Sequence, residues 1–181
     1  MFKVILAVPE RYHLIYQTMK VFPDAKVVSH PMLNPADAFI KALKVAGMCP
    51  LLFFEDDIQL SSRFAELALP FIAANPDRFI AFFSQDVYYT RGTRENKGKN
   101  FEMSQCIYLP AGMAAGVVAR YDKWKATTKR RQAHDYMIAE YMEEHGINYI
   151  IHEPNLVQHL PIPSAIDPGR PVNRQSRTFL P

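Results

Sequence analysis

The 181-residue chain is 49% hydrophobic and 12% aromatic, enough apolar material to bury a core within one domain. No apolar run is long enough to span a bilayer, and the opening Met1-Phe2-Lys3-Val4-Ile5-Leu6-Ala7-Val8 lacks the apolar length and cleavage site of a signal peptide; with Cys49 and Cys106 in no metal-type spacing, a reducing cytoplasm is the expected location. The net charge of +3 is unevenly placed: Arg91 to His134 carries ten Lys/Arg against three Asp/Glu, the remainder eleven against fifteen, so one middle region faces anions.

Phe2 to Val8 is a β-rich apolar run stopped by Pro9, a first buried strand. A helix is predicted over Tyr12 to Val21, and Arg11 at the junction suits an anionic group of a ligand, or else a surface pairing with Glu10 or Asp24. Lys26 to Ser29 reads as a short strand. Asn34 before Pro35 starts a helix over Ala36 to Ala46 that Gly47 closes. Leu51-Leu52-Phe53-Phe54 then runs straight into Glu55-Asp56-Asp57. A short apolar run of this kind is a strand buried on both faces, so the three acids stand at its carboxyl end, where open α/β sheets bind ligands. Adjacent carboxylates repel and need a neutralising partner; oxygen-only donors suit Mn²⁺ or Mg²⁺, while a solvated acidic turn capping a helix near Ser61-Ser62 is the simpler alternative.

The following helix, Phe64 to Ala74, carries Pro70 and a predicted kink there. Phe79 to Phe83 is another buried strand, with Asp86 in the turn beyond it. Tyr88 to Asn100 has two glycines, four basic residues and no apolar period, which predicts an exposed loop able to close over a polyanion. Gln105 to Pro110 and Gly116 to Arg120 read as two strands around a small-residue spacer. Tyr121 to Gln132 reads as a basic helix with Trp124 among its cations. His134-Asp135 opens a further helix, in which Asp135 reads first as an N-cap. Asn148 to Ile151 is a last core strand, and a Pro- and Arg-rich tail follows. Alternating strands and helices predict an α/β domain with a mostly parallel, doubly wound sheet.

Three stretches together resemble the GT-A glycosyltransferases: LLFFEDDIQL, as a Glu-Asp-Asp form of their Asp-x-Asp motif; LPAGMAAGVVARYD with HDYMIAEYM, as their acceptor-side segments; and PNLVQHLPIPSAIDP, as the segment with a late His and Ser. The resemblance covers most of residues 1–166 and implies a single GT-A-like domain of that extent. The tail, 167–181, lies beyond it, and its Arg170, Arg174 and Arg177 either fold over the donor's diphosphate or stay disordered. It implies a Rossmann-type, mixed and mostly parallel sheet flanked by helices, Mn²⁺ or Mg²⁺ as cofactor, and a nucleotide sugar, a UDP-sugar foremost, as donor. By the same resemblance Asp57 and His159 would hold the metal. Arg11, Asp56, Ser164 and Arg174 would hold the donor, with Arg170 and Arg177 near Arg174. Asp135 would stand at the acceptor hydroxyl, as base if the enzyme inverts or as an orienting group if it retains.

The chain is short for such an enzyme, so the acceptor is expected on a partner or as a polymer needing only a shallow groove. The basic middle region favours a polyanionic acceptor. DNA with a hydroxymethylated base, flipped onto Trp124, Tyr88 or Tyr89, is one candidate, which would fit a phage enzyme acting in the host cytoplasm. A saccharide or lipopolysaccharide acceptor is the alternative. Two readings from other classes remain open: a metal-dependent nuclease or phosphotransferase using Glu55, Asp56, Asp57 and Asp86, and a nucleic-acid-binding module without catalysis.

Overall fold

The structure, a computed structural model, describes residues 1–29, 34–85, 92–128, 133–164, 169, 172 and 174–181. In chain order they form strand β1 (Phe2–Ala7), a single 3-10 turn at Pro9–Arg11, helix α1 (Tyr16–Val21), β2 (Lys26–Ser29), α2 (Pro35–Ala46), β3 (Leu51–Glu55), β4 (Ile58–Leu60), α3 (Phe64–Ala74), β5 (Phe79–Ala81), β6 (Arg94–Lys97), β7 (Cys106–Leu109), α4 (Met113–Thr127), α5 (His134–Glu144), β8 (Asn148–Ile151) and β9 (Val157–His159). Seven strands make one sheet in the order β2-β1-β3-β7-β5-β8-β6, and β4 pairs with β9 in a separate ribbon. The pairs β1–β2, β1–β3 and β5–β8 are parallel; β7 runs against both β3 and β5, and β6 runs against β8. Five of the seven strands therefore share a direction, giving the expected single-domain α/β, Rossmann-like mixed sheet.

The apolar run of β3 explains its central place. Leu51 and Phe53 pack into the core under α2, α4 and α5, while Leu52 and Phe54 pack into the core under α1 and α3. All four are fully buried, as a strand covered on both faces requires. Burying each such side chain is worth about 1.5–3 kcal/mol, so this one strand anchors both helical layers. Its register with β1 ends at Leu6 opposite Glu55, which brings the carboxyl ends of β1 and β3 side by side. Because β7 is antiparallel to β3, with Cys106 opposite Phe54, the residues entering β7 reach the same edge.

Several expected elements differ. The helix after β1 begins only at Tyr16, because Pro9 to Arg11 forms a 3-10 turn instead. Gly116 to Arg120 is not a strand: it lies inside α4, where Gly112, at φ +80°, supplies the N-cap and Gly116 lets Tyr141 of α5 pack against the helix. A Cβ on Gly116 would stand 2.2 Å from the Tyr141 hydroxyl, so the small-residue spacer serves a helix–helix contact. The basic helix is the end of α4 and stops at Thr127. Trp124 is 3% exposed and stacks with Tyr121 in the core, which removes it as a platform for a flipped base. The second part of the predicted lid is the edge strand β6 followed by a 3-10 turn at Gly98–Asn100, the strand being held by Arg94 to Glu153 and by Glu95 to Arg78. Pro70 lies within one continuous helix. Ser61 contributes its hydroxyl to the Arg63 amide and its carbonyl to Phe64, ahead of α3. Asp86, Tyr88, Tyr89, Lys129, Arg130, Arg131 and Arg170 lie outside the described residues.

Candidate active site

A cavity of about 350 Å³ opens at the shared edge of β1, β3 and β7. Its wall includes Arg11, Glu55, Asp56, Asp57, Glu102, Ser104, Gln105, His134, Asp135, Ser164 and Arg174. Arg11, Asp56, Asp57, Asp135, Ser164 and Arg174, all marked in the sequence, thus share one cavity; Arg177 is not on its wall, and His159 lies beside Asp57, fully buried.

The three acids separate according to what each meets. Asp56 accepts the Val8 amide at 2.8 Å and the Arg11 guanidinium at 3.2 Å. The same Nη1 donates to Asp57 at 3.0 Å, and Nη2 donates to the Pro163 carbonyl. Arg11 therefore bridges two carboxylates with one positive charge; its suggested pairing with Glu10 or Asp24 does not form, Asp24 pairing with Lys3 instead. Burial dominates at Asp56 and pushes its carboxyl up to about 6, with Asp57 adding repulsion against the opposing Val8 amide and Arg11. Burial also acts to raise Asp57, but His159, Arg11 and Arg174 outweigh it and hold that carboxyl below its ordinary value.

His159 stands beside Asp57 because β9 pairs with β4, Ile58 facing His159, and the Leu160 amide donates to the Asp57 carbonyl at 2.8 Å. This ribbon was not anticipated; the Ile58-Gln59-Leu60 and Val157-Gln158-His159 alternations were its only sequence trace. His159 is fully buried, its Nε2 3.4 Å from Asp57 Oδ2. Among the described residues, Asp57 Oδ1 and both His159 ring nitrogens have no hydrogen-bond partner. Two donors about 2.1 Å from one ion stand roughly 3–3.5 Å apart, so a carboxylate and an imidazole at this separation fit a single divalent cation. No group of three or more His, Cys, Asp or Glu among the described residues is arranged to hold a metal unaided.

Glu55 turns the other way. It accepts the Ser104 hydroxyl at 2.7 Å and lies 3.2 Å from His134 Nε2. Ser104 Oγ is also 2.7 Å from His134 Nε2 and 3.1 Å from Asp135 Oδ1. Asp135 is not an N-cap: α5 begins at His134 with Ala133 before it, and Asp135 sits in the first turn, where a carboxylate favours the helix dipole. Burial raises the Asp135 carboxyl; His134 and Ser104 oppose this and Glu55 adds to it. Ser104 carried no signal in the sequence, because a serine in an irregular segment acquires meaning only from the partners that folding brings to it.

The tail is tied down beside β9. Asn155 and Gln158 grip Ser176, through contacts of 2.6 Å to its hydroxyl and 2.7 Å from its amide, and the Leu180 amide donates to the Asn155 carbonyl at 2.9 Å. Arg174, two residues earlier, thereby reaches the cavity wall.

No helix among the described residues is long and apolar enough to cross a membrane. No family model matches the chain, and no curated sequence is significantly similar to it. Among solved structures it is similar, at TM-score 0.45 and 9% identity over 86% of this chain and 69% of the other, to a Bacillus anthracis protein assigned as a glucose-1-phosphate thymidylyltransferase and crystallised with sucrose. The likeness is remote, and the site has to be read from its own geometry.

Proposed function

We propose that the chain is a metal-dependent sugar transferase of GT-A type that takes a nucleotide sugar, a UDP-sugar foremost, as donor. One observation carries this reading: a single cavity holds two arginines beside the Asp57–His159 pair, and also a hydrogen-bonded carboxylate, Asp135. Arg11, Ser164 and Arg174 would receive the diphosphate and Asp56 the sugar or ribose side, as bidentate cations and neutral donors suit phosphate oxygens. Asp57 and His159 would hold Mn²⁺ or Mg²⁺, the remaining positions coming from phosphate oxygens and water, and the ion would stabilise charge on the departing diphosphate.

In the transfer, the acceptor oxygen bonds to the anomeric carbon as the bond from that carbon to the phosphate oxygen breaks. The electron pair leaves with the nucleoside diphosphate, and the acceptor proton passes to Asp135. A carboxyl raised by burial is a stronger base than an exposed one, which suits this role. A carboxylate-cluster nuclease fits less well, since Glu55 engages Ser104 and Asp56 engages Val8 and Arg11 rather than converging on one ion. A polyanionic acceptor, DNA included, remains a proposal resting on the basic composition of residues 91–134.

The test is thermal unfolding against nucleotide sugars with and without Mn²⁺, followed by nucleoside diphosphate release with mixed acceptors. Asp57→Ala is expected to abolish the metal-dependent stabilisation. Asp135→Asn is expected to keep it while lowering turnover by about 10²–10⁴-fold, the range of a lost general base. Donor affinity unchanged in Asp57→Ala would overturn the site assignment.

A further inference from the structure

Ser104 is 1% exposed and stands at the centre of a four-residue knot. Its Oγ lies 2.7 Å from Glu55 Oε1, 2.7 Å from His134 Nε2 and 3.1 Å from Asp135 Oδ1. His134 is itself fixed by stacking on the fully buried Phe39 ring, with centroids 4.7 Å apart at 20°. A hydroxyl carries one proton, which Ser104 shares between the two acceptors Glu55 Oε1 and Asp135 Oδ1 while its oxygen accepts from His134 Nε2–H, and the three contacts together fix its rotor. Asp135, by contrast, keeps a quarter of its side-chain surface exposed on the cavity wall. Of its two carboxyl oxygens, Oδ1 is engaged by Ser104 and approached by His134 Nε2 at 3.6 Å; the exposed remainder is what a ligand meets.

We infer that Ser104, backed by His134 and Glu55, is a positioning residue that takes hold of Asp135 Oδ1 and so presents Oδ2 to the acceptor hydroxyl. The role of the acceptor rests on the sugar-transfer reading; the presentation of Oδ2 rests on the knot alone. Serine suits the task because it is small enough to be enclosed and uncharged, so it joins two carboxylates without adding to their repulsion. The charged and titratable groups around Asp135 are His134 on its own helix, Glu55 at the end of β3, and Glu102 on the segment entering β7.

The experiment compares the full chain with Ser104→Ala and Ser104→Thr, after thermal unfolding shows which variants fold. The side-chain carboxyl of Asp135 is titrated directly by carbon NMR, and kcat and the donor KM are measured against pH with the best donor–Mn²⁺ pair. Ser104→Ala is expected to move the Asp135 midpoint upward, since the serine hydrogen bond opposes the effect of burial. It is also expected to lower kcat about tenfold to a hundredfold with the donor KM within about twofold, and Ser104→Thr to restore both. A folded Ser104→Ala with an unmoved midpoint overturns the proposal, as does a loss of kcat matched by an equal loss of donor affinity. If the wild-type chain transfers no sugar, the function fails, while the Asp135 titration still decides whether Ser104 holds that carboxyl.

Discussion

At the scale of single residues, the Glu-Asp-Asp stretch shows how neighbours of like charge acquire different chemistry. Glu55 meets a serine, Asp56 an amide and a guanidinium, and Asp57 the same guanidinium and a buried imidazole. Asp56 carries a stability consequence with a definite sign. Its carboxyl is raised from 3.8 to about 6, so the folded chain binds that proton more tightly than the unfolded one. Ionising it in the folded state costs up to about 3 kcal/mol above pH 6, and the cost disappears as pH falls towards 4. Asp56→Asn is expected to raise stability at pH 8 by about 1–3 kcal/mol, part of the gain being lost with the Arg11 ion pair. The gain should vanish near pH 4. Urea unfolding at both pH values measures this, and an equal difference at both would sink the argument. Asp57 has the opposite sign: its lowered carboxyl stabilises the fold above the ordinary carboxylate range, and that contribution is lost on acidification.

At the scale of elements, the strands were legible where hydrophobic runs dictated them and illegible where pairing alone made them. β1, β3, β5 and β8 are apolar runs that only a two-faced burial explains. β6 reads Arg-Glu-Asn-Lys and has no such pattern; it is a strand because the edge of β8 offers it a ladder and because ion pairs satisfy its outward charges. α4 was misread because glycine and valine carry no helical preference, and the tertiary contact with Tyr141 decided the matter. The turn after β6 gives the sharpest test of this region. Gly98 is buried, and a Cβ there would stand 2.3 Å from the Ile147 carbonyl oxygen and 2.4 Å from Met142 Cβ, both on fixed framework. Gly98→Ala should destabilise by about 2–4 kcal/mol, as overpacking against backbone does. Gly92→Ala meets no atom within 4 Å, so any cost there comes from its φ of +73° alone and should be smaller. A thermal melt in which the two variants behave alike would show that residues 94–100 are not packed as described.

At the scale of the whole molecule, the site exists because topology gathers segments that are distant in sequence. The ends of β1 and β3, the entrance to β7, the start of α5 and the β4–β9 ribbon converge on one edge, which is why the strand-end acids line the cavity and gave no hint of Ser104. The same geometry limits what a metal alone can do. Asp57 and His159 offer two donors, Arg11 already balances part of the charge on Asp57, and no third ligand among the described residues completes the shell. A divalent cation by itself is therefore expected to bind weakly, and so is a nucleoside diphosphate whose charge meets two carboxylates that Arg11 balances only in part. On the proposed reading each would supply what the other lacks: phosphate oxygens would fill the ion's shell, and the ion would offset the repulsion. The coupling is reciprocal, so Mn²⁺ should tighten the nucleotide by the same factor as the nucleotide tightens Mn²⁺. At a ligand concentration near 100 times the coupled Kd, the stabilisation is about 2.7 kcal/mol, or roughly 5–11 °C for a chain of this size. Mn²⁺ alone and UDP alone should each move the midpoint by about a degree or less, and the pair by more than their sum. Additive shifts would mean that the ion and the diphosphate do not share Asp57, and would return that carboxylate to Arg11 as a purely structural partner.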